Sequence, residues 1–298
     1  MAQNMQEIKR RMKSIQSTEH ITNAMRLVSA SKYKKAKNIF DKTNRELATA
    51  TEAIEQAIAK ALESLAEGSE EGEVDEDIPF LDSSKSGKTI LIAVTSGKGL
   101  CGGFNANVNR AAAALLEELG IESKDLEVYA IGNKGLDFFS HNGYEIMGTY
   151  LESAEKFTFA DASQVAKPII EQCVSGQASR VLLIYTQYIN SLRQEPTVKQ
   201  LIPIDTEALP KATNTELEFV PGARNVLEYM IPKYFEMELF KSVIESAACE
   251  HAARRTAMDS ATDSANDMLD KLSLTYNRVR QSAITNEIIE IVSGAQSQ

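Results

Sequence analysis

The chain has 298 residues, of which 43% are hydrophobic and 25% charged, and a formal net charge of −10. That is enough apolar material for a sizeable core in one large or two ordinary domains, and it excludes global disorder. Few aromatics, no Trp, and three scattered cysteines (Cys101, Cys173, Cys249) with only three histidines argue against an all-β sandwich, a disulfide scaffold and a structural zinc site.

Helix breakers divide the chain. No Gly precedes Gly68 and no Pro precedes Pro79, while after Pro232 only Gly294 remains. Residues ~3–66 therefore read as one long helix, about 90 Å at 1.5 Å per residue. Met5, Ile8, Met12 and Ile15 form a narrow seam at coiled-coil spacing, and Ile21, Met25 and Val28 continue it after a phase slip near Ser17–Thr18. Residues 1–60 carry 12 Lys/Arg against 6 Asp/Glu, with clusters at Lys9, Arg10, Arg11 and Lys13 and at Lys32, Lys34, Lys35 and Lys37. These are either a solvated face or a surface for an acidic partner. Only Tyr33 and Phe40 could stack on bases there, which counts against single-stranded nucleic acid. The acidic stretch 67–77 reads as a solvated linker (67–85) without EF-hand spacing.

The middle, 86–206, alternates strand and helix patterns. Strands are expected at 89–96, 126–132, 145–151 and 179–189, with an edge strand at 196–204, and helices at 105–119 and 160–174 with a shorter one after Gly132. This is an inserted Rossmann-like α/β domain with a mainly parallel sheet. A connector and short helix (207–232) then lead to a helix over 233–298 that starts at Pro232. Its seam is Met258, Ala261, Ala265, Met268, Leu272, Tyr276 and Val279. Neither terminal helix can bury its stripe alone, so the fold class is α/β with a long antiparallel coiled coil of the two chain ends.

Gly97-Lys98-Gly99-Leu100-Cys101-Gly102 matches GxGxxG between a predicted strand and a predicted helix, the setting in which such a loop cradles a pyrophosphate. The ribose-binding acid is misplaced, since Glu117, Glu118 and Glu122 fall in or just after the helix and the next strand ends without one. A tight turn with close helix–strand packing is the favoured reading. A nucleotide-dependent oxidoreductase and a coiled-coil adaptor for acidic surfaces are the alternatives. Cys101 is either a reactive thiol or a small buried side chain, and no resolving cysteine is near it in sequence.

The C-terminal run Arg280-Gln281-Ser282-Ala283-Ile284-Thr285-Asn286-Glu287 through Glu290, Gly294 and Ala295 resembles the signature I-T-x-E-x-x-E-x-x-x-G-A, preceded by Arg-Gln, of the γ subunit of F-type ATP synthases. Residues 15–36, IQSTEHITNAMRLVSASKYKKA, are similar to that family's opening helix, and 99–105, GLCGGFN, to the loop after its first strand. The resemblance implies a non-catalytic rotor shaft that couples ion flow to ATP synthesis or hydrolysis. It would have no cofactor, metal or nucleic-acid partner of its own. Its implied partners are the alpha and beta subunits of the catalytic head, the epsilon subunit and the c-subunit ring. Implied partner contacts are Met25, Lys98, Cys101, Arg280, Gln281, Thr285 and Glu287. The family's Asp-Arg before Gly-Leu-Cys is replaced here by Gly97 and Lys98, and that replacement creates the literal GxGxxG. No apolar run reaches a membrane-spanning length and the N-terminus is charged, so a peripheral place on the cytoplasmic face of the cell membrane, held through the complex, is expected.

Overall fold

The computed structural model describes residues 2–68, 80–81, 87–207, 209–210, 219–220 and 222–296. The elements in chain order are α1 (Ala2–Gly68), β1 (Lys88–Val94), α2 (Phe104–Glu118), β2 (Leu126–Ile131), α3 (Asn133–His141), β3 (Glu145–Tyr150), α4 (Phe159–Val174), β4 (Ala178–Tyr188), β5 (Gln194–Ile202) and α5 (Ala223–Gln296). They form two compact units: residues 1–31 with 254–298, and residues 32–253.

The larger unit is built on a five-stranded sheet of order β3-β2-β1-β4-β5. The first four strands are parallel and β5 pairs antiparallel with β4. β1 is central and buried on both faces, so its sequence is a continuous apolar run rather than an alternation. Ile90, Ile92 and Val94 face a core shared with α4 and with Ile58, Phe235, Leu239 and Val243 of the long helices. Leu91 and Ala93 face the opposite core, made by Val108, Ala112 and Leu116 of α2 and by Phe139. α4 opens with a capping box, in which the Thr158 hydroxyl accepts the Asp161 N–H and the Asp161 carboxylate accepts the Thr158 N–H at 2.8 Å.

The expected break at Pro232 is absent, and α5 runs through it. Proline inside a helix removes one backbone hydrogen bond and crowds the preceding turn. Here Leu227, Ile231, Phe235 and Leu239 form one fully buried stripe across the proline. Packing on both sides of Pro232 overrides the local preference for an end. The N-terminal helix reaches Gly68, and most of the predicted acidic linker lies outside the described residues.

In the smaller unit the two helices run side by side and antiparallel. Thr262 Oγ1 lies 2.9 Å from Thr22 Oγ1, and Arg26 Nη1 lies 3.5 Å from Asp259, so partner numbers fall as α1 advances. The seam keeps an unbroken alternation of three- and four-residue steps through Met5, Ile8, Met12, Ile15, Glu19, Thr22, Arg26 and Ser29, all buried or half-buried. No phase slip occurs at Ser17–Thr18. Ile21 and Val28 point outward instead, 60% and 54% exposed, because polar Thr22, Arg26 and Ser29 hold the inner positions. On α5 the inner positions are Met258, Thr262, Ala265, Leu269, Leu272, Tyr276 and Val279. Met268, read as a seam residue, is 52% exposed, and Leu269 takes its place.

Candidate partner-contact surfaces

The Gly-rich loop leaves the carboxyl end of β1, next to the point where strand order reverses between β1 and β4. In dinucleotide-binding folds that crevice holds the ligand. Here the loop's polar groups satisfy one another. The Ser96 hydroxyl donates to the Lys98 carbonyl at 2.6 Å, and Asn105, from the first turn of α2, accepts the Ser96 N–H at 2.9 Å. The Asn105 amide also donates to the Cys101 sulfur at 3.2 Å. A Cβ on Gly99 would meet nothing within 4 Å and one on Gly97 only the Asn133 side chain at 4.0 Å, so neither is needed for a close backbone approach. The indispensable glycine is Gly132, at φ 92°, where an added Cβ would stand 2.3 Å from the Thr95 carbonyl oxygen. It allows Thr95 Oγ1 to accept the Gly135 N–H at 2.7 Å and Ser96 O to accept the Lys134 N–H, so the end of β1 caps α3. The tight-turn reading fits this arrangement.

The partner contact expected at Cys101 and its loop falls to the loop's outer residues in this structure. The thiol is 2% exposed and packs with Phe104 and Cys249, because the loop turns inward at that point. A partner approaching this loop meets Lys98, which is exposed, and Leu100, which is 65% exposed at φ 62°. The other thiols are buried too, and burial pushes Cys173 up to about 12 and Cys249 higher still.

Met25 is half-buried on α1, beside the outward Ile21 and Val28. On α5, Arg280, Gln281, Thr285 and Glu287 are all exposed and share the outer face with Ile284, Ile288 and Ile291, while Val279, Ala283 and Asn286 face inward. Successive positions 280, 284, 287 and 291 fall within one stripe at 3.6 residues per turn. The Thr285 hydroxyl donates back to the Gln281 carbonyl at 2.9 Å. The stripe offers a guanidinium, an amide and a carboxylate among exposed isoleucines, a mixture suited to a protein partner. The four basic residues Lys9, Arg10, Arg11 and Lys13 are exposed as well. In the second cluster Lys32, Lys34 and Lys35 are exposed, Lys32 while donating to Glu155 at 2.6 Å, and half-buried Lys37 pairs with Asp41.

Sequence reasoning missed a set of charges in the larger unit. Glu155 Oε1 receives both Lys32 and His251 Nε2, the latter at 2.7 Å. Glu238, 4% exposed, takes Lys199 at 2.5 Å and Lys241 at 3.0 Å. Burial pushes Glu238 up, but the two ammonium groups outweigh it and hold the carboxyl below its ordinary range. Glu245 accepts the Tyr188 N–H at 2.8 Å, and there burial wins and the carboxyl is raised. Lys199, Glu238, Lys241 and Glu245 line a polar cleft of about 530 Å³ together with Lys37, Asp41 and Gln187. Within it Lys37 is matched by Asp41, and Lys199 and Lys241 share Glu238, so the cleft reads as a structural ion network. Its signal in the sequence was the run FEMELFKSVIES, where acids interrupt an otherwise apolar helix. Among the described residues no cluster has the makings of a metal site, and no helix is long and apolar enough to cross a membrane.

The ATP synthase family profile matches residues 4–297. The ATP synthase gamma chain of Pelotomaculum thermopropionicum is 38% identical over 293 residues, covering 98% of both chains. The sodium ion specific ATP synthase gamma chain of Acetobacterium woodii is 36% identical over 316 residues, covering 100% of this chain and 99% of the other. In fold, the chain is similar to one from the rotor of the Euglena gracilis mitochondrial ATP synthase, with a TM-score of 0.66 at 17% identity over 95% of this chain and 100% of that one. A chain from the central stalk/c-ring of the Tetrahymena thermophila enzyme gives a TM-score of 0.58 at 21% identity, covering 81% of this chain and 99% of that one. With matches running from end to end, and two long terminal helices flanking a mostly parallel sheet, the chain belongs to the ATP synthase gamma chain family.

Proposed function

We propose that this chain is the central rotor shaft of an F-type ATP synthase, transmitting torque between ion flow in the membrane and ATP synthesis or hydrolysis in the head. The observation that carries the reading is the end-to-end match to gamma chains, joined to a pair of antiparallel helices that display a polar and apolar stripe outward. On this reading the chain is a structural subunit and performs no catalysis itself. Its helix pair turns inside the ring of alpha and beta subunits. Its α/β unit meets the epsilon subunit and the c-subunit ring on the cytoplasmic side, and the chain is peripheral.

The physical requirements of a shaft fit the residues. Backbone hydrogen bonds resist twisting along residues 2–67 of α1 and 233–293 of α5, where no Gly or Pro interrupts the helix. Rotation needs contacts that form and break, so each must be modest. The Arg280 guanidinium can grip a carboxylate in a two-pronged hydrogen bond, worth about 1.5–3 kcal/mol, which holds one angle and still releases. Thr285 and Glu287 extend such contacts along the same face of α5, Lys98 adds one on the larger unit, and Met25 presents a neutral side chain to an acidic segment of the catalytic subunit.

The test is Arg280→Ala with Gln281→Ala in the assembled complex. Normal assembly and helicity with altered ATP turnover is the expected result. Unchanged turnover with intact assembly would return both residues to the role of solvated helix face. At Met25, a lysine should impair coupling between ion flow and ATP turnover while a leucine is mild, because an added cation facing carboxylates creates an attraction that must break at every step.

A further inference from the structure

The long helices meet the sheet through an apolar core that includes Ile58 on α1 and Phe235, Leu239 and Val243 on α5. Apolar packing is non-directional, so it resists separation of the elements better than their sliding or turning. Hydrogen bonds have preferred angles and hold a helix at one rotation. Two residues of the α/β elements carry polar contacts to both helices at once. Tyr188, the last residue of β4, places its hydroxyl 2.7 Å from that of Tyr33 on α1 and donates its N–H to Glu245 of α5 at 2.8 Å. The Lys37 ammonium of α1 lies 4.5 Å from the centre of the same ring. Glu155, between β3 and α4, accepts Lys32 of α1 at 2.6 Å, and His251 Nε2 of α5 lies 2.7 Å from the same oxygen.

These two grips reach each helix from different sides. Lys32 and Tyr33 are consecutive, so they project about 100° apart around α1 at one level. Glu245 and His251 lie about 120° apart around α5 and roughly 9 Å apart along it. One bond lets a helix pivot about it, whereas two bonds from different directions fix its rotation. The Tyr188 grip is seated in the sheet, since Tyr188 pairs with Gln194 in the β4–β5 ladder and Thr186 N–H donates to the Ser246 hydroxyl of α5 at 3.4 Å. The Glu155 grip is seated in the interior, with His251 only 3% exposed.

We propose that Tyr188 and Glu155 form a collar that locks α1 and α5 against turning and passes torque from them into the α/β unit. This rests on the rotor reading above. Both are positioning residues, and they act on rotation through the helices they hold. Partly buried ion pairs add little net stability compared with apolar side chains in the same places, and the fixed direction of these bonds is what a shaft requires.

The test is the torsional stiffness of the stalled rotor in the assembled complex. All three native cysteines are buried, so Ser123→Cys, on the exposed surface of the α/β unit, gives one selective thiol for a bead. With the head fixed and stalled by a non-hydrolysable ATP analogue, the bead's angular variance reports the compliance between head and α/β unit. Charge-assisted bonds are roughly twice as strong as neutral ones, so Tyr188→Phe with Glu155→Gln should leave about half the tie strength and widen the variance about twofold. Tyr33→Phe should match Tyr188→Phe and add nothing to it, because both remove the same bond. Gly143→Ala, which weakens the fold away from the collar, should leave the variance unchanged. An unchanged variance in the double variant, or equal widening by Gly143→Ala, overturns the collar and leaves the rotor reading standing. If the double variant does not assemble, the Tyr33→Phe and Tyr188→Phe pair decides the matter alone, and an unchanged variance there overturns the collar. Failure of the wild-type chain to co-assemble with ring subunits overturns the rotor reading itself.

Discussion

Replacing Gly132 by alanine should be among the most damaging single changes in the larger unit. Its backbone, at φ 92° and ψ 145°, lies in a region that only glycine populates freely. An alanine Cβ would stand 2.3 Å from the Thr95 oxygen, 2.7 Å from the Thr95 carbonyl carbon and 3.0 Å from the Ser96 carbonyl carbon. Those atoms cannot easily yield, because Thr95 N–H donates to Ile131 O at 2.8 Å and Gly132 N–H donates to Tyr150 O at 2.9 Å. The backbone conformation costs about 1–3 kcal/mol and the forced displacement about as much again, so roughly 4 kcal/mol in all. In a unit of this size that lowers the melting temperature by roughly 8–15 °C. The assay is thermal unfolding of the full chain followed by circular dichroism, with Gly143→Ala as the control. Gly143 is also left-handed, at φ 77°, but a Cβ there meets nothing within 4 Å, so only the conformational cost of about 1 kcal/mol applies. Equal losses in the two variants would refute the clash argument.

Three further outcomes are expected. Glu238→Gln should cost about 3 kcal/mol at neutral pH, because two partly buried lysines lose their shared carboxylate, and chemical denaturation across pH should show the difference fading as pH falls through the depressed carboxyl value. Glu245→Gln should behave in the opposite sense: it keeps an acceptor for the Tyr188 N–H, and its relative stability should rise as pH climbs through the raised carboxyl value, where the native side chain must ionise while buried. In the smaller unit, Leu269→Ala should destabilise the helix pair by about 1–2 kcal/mol while Met268→Ala stays within about 0.5 kcal/mol, measured by denaturant unfolding; equal effects would restore the original seam.

The family resemblance was legible because it rests on local sequence. The run from Arg280 to Ala295, residues 15–36 and the GLCGGFN loop are contiguous strings, and their order along the chain needs no structure to read. The partner-contact stripe on α5 was partly legible for the same reason, since helical spacing alone puts Arg280, Glu287 and Ile291 on one face. Whether that face points outward was not, because spacing gives relative angles and only the neighbouring helix fixes the zero.

Exclusion of Gly and Pro from both ends determined two long helices, and apolar runs bounded by breakers determined the five strands, because backbone sterics and hydrogen bonding act within a few residues. Which residues of those helices meet was decided by tertiary structure. Polar Thr22, Arg26 and Ser29 took seam positions that an apolar count assigns to Ile21 and Val28, since Thr262 and Asp259 on α5 supply their partners. The same holds at Pro232, where Leu227, Ile231, Phe235 and Leu239 carry the helix past a residue that ends most helices. Cys101 turned inward because Phe104 and Cys249, the latter 148 residues away in the chain, close over it. Burial and ion pairing depend on which surfaces are brought together, and that information is not local to any segment of the sequence.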